Sequence, residues 1–167
     1  MGEKIEPVFS SGFELVEPGV HVFELADPKA TPMQGGGYKY GVKCVCEGGG
    51  SDGIFHFENW QTRKNDGGQN LFGMKLMYGF LVSCGIGLKP GGMDTDEFES
   101  AGFAKKFEGT LAGKKVGLSI YHDEYRGVKR SKSNEYMTVE EAKKRMSKPA
   151  KEAPKPAAPG IKDTEGW

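Results

Sequence analysis

Long apolar runs are missing from this sequence. No stretch approaches the roughly 18 consecutive apolar residues that a membrane-spanning helix requires, so no membrane insertion is expected. The first residues, Met1-Gly2-Glu3-Lys4-Ile5-Glu6, carry neither the apolar core of a secretory leader nor the Ser/Thr of a myristoylation signal. Cysteine is scarce. Cys44, Cys46 and Cys84 make an odd total that does not suggest a disulfide framework, and a reduced cytoplasmic protein fits them. One Cys-x-Cys without a second pair, even with His56 as a further ligand, is weak ground for zinc, and small core thiols are the simpler reading. The run Gly48-Gly49-Gly50 lacks the Gly-Lys-Ser/Thr ending of a phosphate loop and precedes a strand, so it reads as a long hairpin connection. Nuclease metal sites need gathered carboxylates. Asp94, Asp96, Glu97 and Glu99 sit at a loop-to-helix start with no organised partner, and no Ser/His/Asp or Cys/His pairing suggests itself. No catalytic residue, metal or cofactor is expected.

Net charge is absent as well: 23 Lys and Arg face 23 Asp and Glu. Taken alone, that argues against a nucleic-acid binder. The charges are segregated, however. Residues 1–100 hold 8 basic and 14 acidic side chains, whereas residues 101–148 hold 12 basic and 6 acidic. The chain is dipolar, and its positive half contains the most informative stretch.

That stretch runs from Lys114 to Tyr136 and reads as two strands joined by a tight turn. Val116, Leu118 and Ile120 alternate with Gly117, Ser119 and Tyr121, so one face is apolar and the other open. The turn falls in Asp123–Gly127, with Gly127 free to take positive φ. The returning strand, Val128 to Tyr136, carries Lys129, Arg130 and Lys132 with little apolar content, as an edge strand does. Tyrosines and cations together suit a polyanion with aromatic rings in it, such as single-stranded nucleic acid. The competing reading is that the cations only protect a sheet edge.

The rest of the chain is expected to complete one domain over residues 1–147, with a loose arm at 1–12, followed by a disordered tail at 148–167. Val20–Ala26 reads as a first strand, with His21, Phe23 and Leu25 on one face and Val22 and Glu24 on the other. Residues 27–37, with Pro28, Pro32 and three glycines, read as a mobile loop. Tyr38–Glu47 puts Tyr38, Tyr40, Val42, Cys44 and Cys46 on one face, and Lys39, Lys43 and Val45 on the other. In a third strand, Ile54–Trp60, Phe55 and Phe57 alternate with His56 and Glu58. Asn70 can cap a helix over Leu71–Cys84, with Met74 and Met77 as core filler. A short helix from Thr95 to about Phe107 should turn Phe98, Phe103 and Phe107 inward. Thr138-Val139-Glu140-Glu141 resembles a capping box opening a brief basic helix. From Lys148, KPAKEAPKPAAPG cannot bury a core. It leads to Trp167, a peptide anchor for a partner or for the protein's own groove.

Three strands, a helix and a two-strand hairpin is the element count of a five-stranded OB-fold barrel, mainly β with one or two helices. Pro18-Gly19-Val20-His21-Val22-Phe23, Tyr38-Lys39-Tyr40-Gly41-Val42-Lys43, Phe57-Glu58-Asn59-Trp60, Ser83-Cys84-Gly85 and Leu111-Ala112-Gly113-Lys114-Lys115-Val116 carry a resemblance. Over about residues 13–137 the chain resembles bacteriophage single-stranded-DNA-binding proteins of OB-fold type. The resemblance implies sequence-tolerant binding of single-stranded DNA in phage replication or recombination, in the host cytoplasm and without catalysis. Bases would stack on aromatic rings while Lys and Arg neutralise phosphates. The first candidates are Tyr121, Tyr125, Arg126, Lys129, Arg130 and Lys132, followed by Tyr38, Tyr40, Lys43 and Trp60. For each ring, core and stacking roles stay open, although Tyr121 points away from the apolar face of its strand.

Asp163, Glu165 and Trp167 are similar to the acidic, aromatic-ended tips of such proteins, which implies docking on a replication or recombination enzyme. The linker departs from that pattern in being basic (Lys148, Lys151, Lys155), and the tip has only two acidic side chains. The alternative is a protein-interaction module that recruits such an enzyme through Trp167, with DNA contact secondary. DNA against RNA, and monomer against homodimer, stay open.

Overall fold

The computed structural model describes residues 14–86 and 92–147. The arm expected at 1–12 and the tail at 148–167 lie outside the described residues. Period-two alternation yields five strands: β1 (Gly19–Pro32), β2 (Tyr38–Glu47), β3 (Phe55–Gln61), β4 (Lys115–Tyr125) and β5 (Val128–Met137). They form one antiparallel sheet in the order β3-β2-β1-β4-β5. Helix α1 (Leu71–Ser83) follows β3, and β1 pairs with β2 on one side and with β4 of the β4–β5 hairpin on the other. This is an OB-like architecture in open form, since no backbone ladder joins β3 to β5 among the described residues.

Residues 27–32 are strand rather than loop. Asp27 takes φ 50°, the register with β2 shifts between Ala26 and Lys29, and Pro28 falls inside that bulge, where its missing N–H removes no ladder bond. The pairing of β4 with β1 stops at Glu24, so the far half of β1 pairs with β2 alone. There the Ala30 N–H donates to Glu108 at 2.7 Å. The single helix expected after Thr95 is broken into α2 (Thr95–Phe98) and α3 (Ala101–Thr110), with Ser100 capping α3 through the Phe103 N–H.

The inward faces of β1, β2 and β4 contribute Phe23, Leu25, Tyr40, Val42, Cys44, Val116 and Leu118 to one core. Burial pushes the Cys46 thiol up to about 11 and the Cys84 thiol to about 12, and holds Cys44 well above the usual range, so these are inert core thiols. Helix α1 packs Met74, Met77, Phe80 and Leu81 into that core and touches β3, β4 and β5. Asn70 caps it by accepting the Gly73 N–H at 3.0 Å. Gly73 is required there: a Cβ would sit 2.8 Å from the Gln61 carbonyl oxygen.

A second, smaller core lies on the opposite face of the sheet. Val22 and Met137 are buried there by Ala142 of α4 (Val139–Met146), whose Thr138 cap accepts the Glu141 N–H. A Cβ on Gly117 would come within 2.5 Å of the Ala142 Cβ and 3.1 Å of the Thr138 carbonyl oxygen. Gly117→Ala is therefore expected to lift α4 and cost about 1–3 kcal/mol, read as a lower urea midpoint. An unchanged midpoint would mean that α4 is not seated on the sheet. With α4 over β1 and β4, no helix among the described residues covers the outer face of β2 and β3.

Candidate nucleic-acid interface

Strands β3 and β5 run parallel across the unpaired side of the sheet, and side chains join them. His56 Nδ1 lies 2.8 Å from Ser131 Oγ, and His56 Nε2 lies 2.6 Å from a Glu58 oxygen. Ser133 donates to Glu58 at 2.5 Å, and the Tyr136 hydroxyl donates to its other oxygen at 2.9 Å. Trp60 Nε1 donates to the Tyr136 oxygen at 3.1 Å. A buried carboxylate is costly unless donors surround it, and Glu58 has three. Burial, then the Glu58 charge, pushes the Tyr136 hydroxyl well above its ordinary pKa.

Because His56, Glu58 and Trp60 point inward, Phe55 and Phe57 point outward, 44% and 56% exposed. Their centroids are 5.5 Å apart, edge to face. Lys43 pairs across the ladder with Phe57, and its Nζ lies 4.3 Å from the Phe55 centroid. Two adjacent exposed rings with an ammonium between the strands form a platform that a base can reach.

The hairpin ends in a two-residue turn, Arg126-Gly127, tighter than the Asp123–Gly127 turn expected. Both residues take positive φ, 55° and 80°, as the right-handed twist of the flanking strands demands. Tyr125 is 52% exposed, with the Arg126 and Arg130 guanidinium carbons 5.0 and 4.9 Å from its centroid. Arg130 also pairs with Asp123 at 3.2 Å. Lys129 and Lys132 are exposed, and Tyr121 is half-buried opposite Lys132. Burial, then Asp123, raises the Tyr121 pKa. The residues flanking the His56–Ser131 contact are Phe55 and Phe57 on β3, and Arg130 and Lys132 on β5. Aromatic and cationic strips thus border one seam.

Arginine in a left-handed turn position is strained, whereas asparagine accepts it. Arg126→Asn should therefore stabilise the hairpin by roughly 0.5–1 kcal/mol while removing a cation from its apex. Thermal unfolding and an oligonucleotide titration would read the two effects separately. Lower stability would contradict the strain, and unchanged affinity would take Arg126 out of the interface.

Three candidates leave the set. Tyr40 is fully buried, its hydroxyl raised in pKa chiefly by burial and donating to the Phe98 carbonyl at 2.7 Å. Trp60 is 4% exposed and packs on Phe80. Tyr38 is half-buried on the same inward face, its ring 5.8 Å from that of Tyr40. Neither core ring has a face to offer, and Tyr38 stands on the wrong side of its strand. Asp163, Glu165 and Trp167 lie outside the described residues. Phe55 and Phe57 are the rings missed by sequence reasoning. Parity alone could not find them: it sets His56, Glu58 and Trp60 on one face of β3 and Phe55 and Phe57 on the other, without saying which face is buried.

Comparison with protein-family models finds no match, and comparison with curated proteins finds none either.

Proposed function

We propose that this chain binds single-stranded DNA without strong sequence preference and without catalysing a reaction. The observation that carries the reading is the seam, where the Phe55/Phe57 platform with Lys43 meets a hairpin bearing Tyr125, Arg126, Lys129, Arg130 and Lys132. Bases stack on the exposed rings irrespective of identity, and the cations neutralise phosphates. Duplex DNA keeps its bases stacked inside and cannot use the rings. A role in phage replication or recombination is the context the sequence resemblance suggests, with Asp163, Glu165 and Trp167 recruiting a partner enzyme.

The test is a fluorescence-anisotropy titration of labelled oligo-dT at low and moderate salt, with a duplex competitor. The expected result is salt-sensitive binding that duplex does not displace. Absence of binding at low salt would overturn the proposal and favour a module that works through Trp167 alone.

A further inference from the structure

Two of the exposed rings at this surface already carry cations. Lys43 covers Phe55, while Arg126 and Arg130 flank Tyr125, and Phe57 has no such cap among the described residues. We propose that these cations are exchangeable caps: each occupies a ring in the free protein and moves to a phosphate when a base takes its place. This rests on the single-stranded-DNA reading.

The physics favours exchange. A cation over an exposed ring is a weaker contact than a base stacked on it, and the displaced cation gains a phosphate in return. Until then, the lysine stem covers apolar surface that would otherwise face water. The caps are not equal. Arg130 is held by Asp123, which occupies its guanidinium as a phosphate would, with contacts of 3.3 and 3.2 Å. Lys43 has a ring contact and no ion pair among the described residues. Lys43 therefore leaves more readily than Arg130, and Phe55 with the uncapped Phe57 forms a stacking platform.

Proton NMR of the full chain tests this directly. In the free protein, the ε-methylene protons of Lys43, held over Phe55, should resonate upfield of those of other lysines. Phe55→Leu should abolish that displacement and so assign it. Saturation with oligo-dT should remove it in the wild type. A complex in which the Lys43 signal stays upfield would overturn the exchange while leaving DNA binding intact. Failure of any complex to form at low salt would remove both. Lys43→Met supplies a second readout: its salt slope should be shallower by about 0.7, the contribution of one single-strand phosphate. An unchanged slope in that variant would mean that Lys43 never reaches a phosphate.

Discussion

Glu58→Ala is expected to destabilise the protein by about 3–5 kcal/mol, the combined cost of a cavity and of buried hydrogen-bonding groups left without their shared acceptor. His56, Ser133 and Tyr136 all direct polar hydrogens or a ring nitrogen at this carboxylate. With alanine in place, a cavity replaces the acceptor, and each stranded donor loses its partner inside the barrel. The network also stands where other strand pairs have backbone hydrogen bonds, so its loss separates β3 from β5. For a domain of this size the melting temperature should fall by roughly 10–20 °C. Glu58→Gln keeps one acceptor oxygen and should lie between wild type and alanine. Thermal unfolding followed by circular dichroism reads both. A change within about 0.5 kcal/mol for alanine, as for an ordinary surface site, would show that the seam contributes nothing to holding the barrel.

Phe55→Ala combined with Phe57→Ala should do the opposite, sparing the fold and removing the ligand. Both rings are exposed, so stability should change little. Each stacked base contributes roughly 1–3 kcal/mol, so affinity for oligo-dT should fall about tenfold or more per ring. No charge is removed, and the salt slope should stay as it was. Trp60→Ala is the contrasting control. That indole packs on Phe80 inside the core, so its loss should lower stability and affect binding only by unfolding the protein. Oligo-dT affinity unchanged in the double variant would remove the β3 platform from the interface, leaving the hairpin as the only candidate.

These two predictions turn on neighbouring residues of one strand. In β3, polar His56 and Glu58 go in and two phenylalanines go out. Alternation announces two faces but carries no label for inside. Counting apolar residues would have buried the phenylalanines. The partners that reverse that count, Ser131, Ser133 and Tyr136, lie 75 to 78 residues further along the chain. No local window contains them. Proline content misled in the same way at Pro28 and Pro32, because a bulge and a one-sided edge remove the penalty that a proline imposes on a central strand.

The sequence by itself determined the five strands and their alternation apart from the far half of β1, the Asn70 and Thr138 caps and the basic hairpin. Each of these depends on backbone preferences and hydrogen bonds within a few residues. Tertiary structure alone decided which face of β3 is buried, that Tyr40 and Trp60 are core, that side chains bridge β3 and β5 of an open sheet, and that Phe55 and Phe57 border the cations of β5. Those outcomes depend on which polar groups find partners from distant strands. Burial of a carboxylate is prohibitive or tolerable according to donors that only the assembled sheet brings together.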